Sequence, residues 1–159
     1  MLSTELAALF ARDIARLRQE LEAFPDTTTL WTTVPGVSNA AGTLALHLEG
    51  NLREYVGRQL GRIDYRRDRP AEFSTRSVTR MELAARADAL RNDIPPVIAG
   101  LSEAELARPY PEMVLGVPMS TRQFLIHLGG HLNYHLGQID YLRRMSTGKG
   151  AITLAGLSA

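Results

Sequence analysis

The hydrophobic positions of this chain recur at three- and four-residue intervals over long stretches. Leu6, Leu9, Phe10, Ile14, Leu17 and Leu21, with arginines and glutamates between them, predict an amphipathic helix over residues 2–24. Pro25 and the following Asp-Thr-Thr-Thr end it, and the stretch to Val37, which carries the sole tryptophan Trp31, reads as an ordered loop. Ser38 or Asn39 then caps a second helix over residues 39–61, with Leu44, Leu48, Leu52, Tyr55 and Leu60 on its inward stripe, His47 at the edge and Gly61 at its close.

The segment after Gly61, RIDYRRDRPAEFS, has neither helical period nor alternation and reads as a long connection. Thr79 and Glu82 form a capping box ahead of Leu83, Ala87, Leu90, Ile94 and Val97, so a third helix starts near residue 80. Pro95 and Pro96 remove two backbone donors and restrict the residue before them, which predicts a kink or break after about Asp93. After an irregular piece containing Pro109, Pro111 and Pro118, Ser120 and Gln123 form another capping box. A fourth helix is predicted over residues 121–145, its inward face reading Phe124, His127, Leu128, His131, His135, Gln138 and Leu142. Gly148 and Gly150 open a mildly apolar tail that docks on the body or on a partner subunit.

Four long amphipathic helices without a strand pattern predict an all-α fold, a four-helix bundle. The connections are long enough to span a bundle, so a crossover topology is open. At 159 residues, 45% hydrophobic and 22% charged, the whole chain, residues 1–159, is expected to be one domain. Its 18 basic and 17 acidic side chains leave a net charge of +1, too little to recruit nucleic acid or an acidic membrane surface through a long-range field. Apolar runs fall short of the ~20 residues of a membrane-spanning helix. The first residues lack the basic lead-in and uninterrupted apolar stretch of a signal peptide, and a cytoplasmic location is expected. The absence of cysteine removes disulfides, thiolate metal sites and a protein thiol nucleophile, leaving histidine and carboxylate as transition-metal ligands.

The four histidines fall on two predicted helices, His47 on the second and His127, His131 and His135 on the fourth. Residues i and i+4 project from one helix face one turn apart, a spacing that lets two imidazoles converge on one ion with nitrogens at ~2.0 Å. His127 and His135 lie two turns apart, about 12 Å along the axis, so three imidazoles of one helix cannot share a tetrahedral centre. If His47 supplies the third ligand, spacing alone does not choose between the pairs 127/131 and 131/135. A single histidine on an apolar face is usually a core residue with one bonded nitrogen. Three at successive turns would leave several buried nitrogens to satisfy, which favours a metal. Leu132 follows His131 where a metalloprotease of the H-E-x-x-H type places its glutamate, and no E-x-x-H pair is present, so zincin and ferritin-like di-iron chemistry are both disfavoured.

The string HLGGHLNYHLGQIDYLRR, residues 127–144, and NAAGTLALHLEGNLREYVG, residues 39–57, resemble the last-helix and second-helix segments of the DinB/YfiT-like superfamily. The resemblance implies that His47, His131 and His135 are the metal ligands, because the family's last ligand precedes a Gly-Gln pair found here as Gly137 and Gln138, allowing one intervening residue. Many relatives have arginine at that intervening position and this chain has Leu136, so any role of that arginine lapses. The resemblance further implies a four-helix bundle of unusual topology, a homodimer, and zinc or nickel as the metal. Some members transfer low-molecular-weight thiols such as bacillithiol and one branch isomerises maleylpyruvate with mycothiol, so a thiol cofactor and a small-molecule substrate are expected.

Around the ligands, Asn51 and Glu54 lie one and two turns after His47, and Gln138 one turn after His135, placed to orient a ligand or contact substrate. Asp13, on the inward stripe of the first helix, is a candidate base or histidine partner, and His127 a candidate neighbour. Arg62, Arg66, Arg67 and Arg69 alternate with Asp64 and Asp68 and read as a solvated loop. Gly129, Gly130 and Gly137 each cost about 1 kcal/mol in a helix relative to alanine, which predicts close helix approach near the metal. The leading function is a metal-dependent enzyme transferring a thiol or hydrolysing a small substrate. The alternative is a module that binds metal or ligand without turnover.

Overall fold

The computed structural model describes residues 1–114 and 116–156. Among them the protein is all-α, with seven α-helices and no strand beyond two isolated bridges. Helix α1 spans Leu2–Glu22 and buries Leu6, Phe10, Ile14, Leu17 and Leu21 of the stripe that its periodicity predicts, while Leu9, also expected there, is exposed. The loop expected after it contains a short helix α2, Thr27–Trp31, started by the Asp26 carboxylate accepting the Thr29 N–H at 2.7 Å. Helix α3, Ala41–Leu52, begins against Trp31. A Cβ at Gly42 would lie 2.7 Å from the indole, whose Nε1–H donates to Val78 O at 2.9 Å, so the indole ties α3 to the approach to the third long helix.

The second predicted helix continues past α3 as π-helical turns, Arg53–Arg58, in which Gln59 N–H donates to Glu54 O and Gly61 N–H to Val56 O. These five-residue steps insert an extra residue into the helical register. The segment read as an unstructured connection contains helix α4, Arg69–Ser74, capped by Asp68 with Pro70 in its first turn. Helix α5, Arg80–Ala99, opens on the Thr79/Glu82 capping box with both arms made. It does not break after Asp93. Pro95 and Pro96 sit near its end, where the carbonyls they leave without donors belong to the exposed Arg91 and Asn92, and the fully buried Ile94 and Ile98 anchor the last turns. Helix α6, Glu103–Ala107, forms on a second capping box, Ser102/Glu105, inside the piece expected to be irregular.

Helix α7, Thr121–Thr147, starts on Ser120, whose hydroxyl accepts the Gln123 N–H as one arm of the expected box, and ends at Gly148, whose φ of 66° is a left-handed cap. Its buried stripe is Phe124, Leu125, Leu128, Leu132, Leu136, Ile139 and Leu142, which leaves the histidines along one edge. Helix α1 packs most extensively on α5 and also on α7, and α3 likewise touches both. Leu44, Leu48 and Leu52 of α3 are at most 3% exposed. Each contributes roughly 1.5–3 kcal/mol by burial, enough to fix α3 in rotation and so to set where His47 points. The tail returns to the body. Arg16 donates to Ala155 O, Ala155 N–H to Gln19 Oε1, and Arg143 to Gly150 O; positions 157–159 of the tail lie outside the described residues.

Candidate metal centre

Helix α3 presents His47 and helix α7 presents His131 and His135, one turn apart. Each offers a ring nitrogen, and the three nitrogens lie within 4.8 Å of one another. His131 Nε2 and His135 Nε2 are 3.1 Å apart. Two nitrogens at 2.0–2.1 Å from a tetrahedral ion stand about 3.3 Å apart, so the pair is near its ligating separation. The ring of His47 meets those of His131 and His135 edge-on, with centroids at 5.2 and 5.4 Å.

Hydrogen bonding assigns the tautomers. His47 Nδ1 stands 3.0 Å from Glu72 Oε2, and a carboxylate only accepts, so Nδ1 carries the proton and Nε2 the lone pair, which accepts from Asn51 Nδ2 at 3.0 Å. His135 Nδ1 donates to Gln138 Oε1 at 2.6 Å, leaving its Nε2 bare as well. His131 Nδ1 is buried with no partner. A proton on His131 Nε2 would serve His135 but leave the Nδ1 lone pair orphaned. A proton on Nδ1 would set two lone pairs facing each other at 3.1 Å. Neither tautomer satisfies the metal-free cluster; a cation would take the facing Nε2 lone pairs of His131 and His135 together with that of His47, which Asn51 now holds, leaving the His131 Nδ1 proton unpartnered, so these residues fit a metal ion.

Protonation favours the same reading. Burial, then repulsion from His135, His47, His127 and Arg67, pushes His131 down to about 4. His47 is also lowered, by burial first, with Glu72 opposing. Both rings are therefore neutral near pH 7, the form that ligates.

Glu72 was not among the candidates from sequence, and it holds the site from outside. It is 6% exposed, accepts two bonds from Arg67 at 2.6 and 2.9 Å as well as the one from His47, and is delivered by α4. Arg67 is thereby enclosed rather than part of a solvated loop, and its guanidinium lies over the Tyr55 ring. Glu72 also needs Gly50, since a Cβ there would overlap its carboxylate. The available signal was Asp68 two residues before Pro70, an N-cap with proline in the first turn.

Of the other candidates, Asn51 and Gln138 each bond a site histidine. Glu54 instead bonds Arg58, and Asp13 is held by Arg12 at 2.7 Å and Asn133 at 2.6 Å in the groove between α1 and α7. His127 is exposed beside Phe124 at the mouth of a cavity. The glycine expectation fails. Gly130 and Gly137 face open space and Gly129 meets only Phe10, at 3.5 Å, so no close approach near the histidines requires them.

The family model of the DinB superfamily matches residues 9–139, a span that holds all three histidines, Asn51, Glu72 and Gln138. The chain belongs to the DinB superfamily. A comparison with curated proteins gives no match. Two cavities open beside the DinB histidine cluster. One of about 220 Å³ is bounded by His47, His131, Arg67, Arg69 and His127, and one of about 430 Å³ lies by His135, Gln138, Tyr134 and Tyr141. Among the described residues no helix is long and apolar enough to cross a membrane.

Proposed function

We propose that His47, His131 and His135 hold one zinc or nickel ion through their Nε2 atoms, and that the protein is a metal-dependent enzyme acting on a small molecule with a low-molecular-weight thiol. The observation that carries this reading is the cluster of three neutral imidazoles in which two outer nitrogens are fixed by Glu72 and Gln138. Three neutral ligands leave the ion its full double charge and an open position, and when bound it supplies Lewis acidity and lowers the pKa of what it coordinates. Glu72 orients His47, Gln138 orients His135, and the apolar stripe of α7 keeps bulk water from the inner side. The chain has no cysteine, so the thiol comes from outside. Within this reading the four long helices form a four-helix bundle with crossover topology, supported by α1 and α3 each lying against α5 and α7. The homodimer belongs to it too, supported by the exposed α7 face of Ile126, Tyr134, Tyr141 and Met145.

One observation favours a binding module without turnover. Glu72 is engaged by Arg67 and His47 and Glu54 by Arg58, so neither of these carboxylates stands free to act as a general base.

Elemental analysis of tag-free protein is expected to give close to one zinc or nickel per chain. His131→Ala or His135→Ala abolishes it, His47→Ala weakens it strongly, and His127→Ala leaves most of it. Protein that takes up no zinc, nickel or iron, or that loses metal equally with His127→Ala, overturns the assignment. Cobalt-loaded protein whose visible spectrum ignores saturating thiol favours the module.

A further inference from the structure

We infer that the smaller cavity beside the histidines is a subsite for the carboxylate of a small anionic thiol, with Arg69 as the residue that selects it. This deepens the proposed function and rests on the histidine cluster being the metal site.

The argument starts from which clefts are charge-balanced. The cleft bounded by Arg58, Arg66 and Arg67 also contains Glu54 and Glu112, and the one bounded by Arg66 and Arg86 contains Glu49, Asp68 and Glu72. Each arginine there has a carboxylate within its own walls. The larger cavity by His135 carries no Asp, Glu, Lys or Arg at all. The cavity against His47 and His131 differs from all three, since Arg67 and Arg69 line it and no carboxylate does.

The two arginines are not equivalent. Arg67 is neutralised by its two bonds to Glu72, whereas Arg69 makes no ion pair among the described residues. Its guanidinium is held instead over the Phe73 ring at 5.1 Å, and Phe73 in turn packs on the His47 ring at 5.2 Å. A stacked guanidinium keeps its edge free for planar, two-point recognition of a carboxylate. His127 supplies a further ring nitrogen at the same mouth. At about 220 Å³ the space admits a compact molecule, less than the 300–1,000 Å³ of drug-sized sites. The ligand class that answers both ends is a short chain with a thiol for the histidine side and a carboxylate for Arg69. The thiol gives its proton to solvent on ligation, and nothing is oxidised.

The test uses two probes that share the thiol and differ at the tail. Cobalt-loaded protein is titrated with 3-mercaptopropionate and with 2-mercaptoethanol by visible absorption. Wild type is expected to prefer the carboxylate about tenfold, the scale of one charged hydrogen bond. Arg69→Gln brings that ratio near one with the affinity for 2-mercaptoethanol unchanged, and Arg66→Gln, in the neighbouring cleft, leaves the ratio as in wild type. No preference in wild type, or a preference that survives Arg69→Gln, overturns the proposal. Should no metal load, the metal reading falls separately. The subsite is then decided by propionate on metal-free protein, followed through the backbone amide shifts of Arg69, His127 and Leu128. Saturable shifts that Arg69→Gln removes support it, and their absence overturns it.

Discussion

Helix α7 carries two buried polar clusters with opposite character. Near its C-terminal end Arg143, 1% exposed, points all its donor groups inward, to Glu20 of α1, to Asp140 and to Gly150 O of the tail. Two and three turns earlier His135 and His131, with His47, bring lone pairs together and supply too few protons to satisfy them. In the first cluster the Arg143 guanidinium answers the charges of Glu20 and Asp140, although Glu20 Oε1 has no hydrogen-bond partner among the described residues, and the pairing fastens α1, α7 and the tail. In the second the surplus of acceptors asks for a cation from outside. Burial alone therefore does not mark function, and neither does a single unpartnered atom: Glu20 Oε1 belongs to a carboxylate already paired with a cation, whereas the His131 and His135 nitrogens face each other.

The largest effect that would sharpen this contrast is at Arg143. Arg143→Leu strands the Glu20 carboxylate, which burial already pushes up in pKa even with Arg143 beside it. A loss of about 3–5 kcal/mol is expected in urea unfolding, with metal per folded chain unchanged. A loss under about 1 kcal/mol would show that the pair is no fastener.

Next comes Glu72→Gln, which removes the charge behind His47 and keeps its shape. Metal affinity is expected to fall roughly 10–100-fold in chelator competition, and the metal-free protein is destabilised as well, because the enclosed Arg67 loses the charge of its two-bond partner. An unaltered affinity would show that His47 needs no such support.

A weaker effect follows from His131. Its folded pKa, about 4, lies below the ordinary value of 6.5, so on acidification the unfolded chain takes the proton first. The metal-free protein therefore has this contribution in full above pH 6.5 and loses it as pH falls towards about 4. Urea midpoints should drop over that window, and less steeply in His131→Leu. Identical slopes would remove His131 as the cause.

The smallest effect is at Gly130. With nothing near its missing Cβ, Gly130→Ala is expected to stabilise the protein by up to about 1 kcal/mol, with metal content intact. A destabilised or metal-poor variant would restore the idea that this glycine permits a close approach.

The long helices were legible in sequence because they depend on period, and a stripe such as Leu44, Leu48 and Leu52 announces its face without a structure; period narrowed the histidines to two pairs, between which only the family resemblance chose. Glu72 and Arg67 were not. Their segment has no period, and its six-residue helix becomes meaningful only when α4 is seen against α3. The glycines misled because a missing side chain says that space is possible and not which surface lies opposite. The prolines misled because whether two lost donors break a helix depends on which carbonyls they orphan, and here those carbonyls face water.

Gly50 lies one turn before Glu54 and three residues after His47, and the nearest atoms a Cβ there would meet belong to Glu72 and Arg67, not to a histidine. A methyl group there would collide with the far end of a flexible side chain, so the backbone need not move and only the Glu72 carboxylate must leave. His47 would then be free to flip or change tautomer while His131 and His135 stayed in place. Side-chain volume at this one position thus acts as a dial on how long an ion stays, and a library varied at residue 50 would spread metal residence times across an otherwise constant fold.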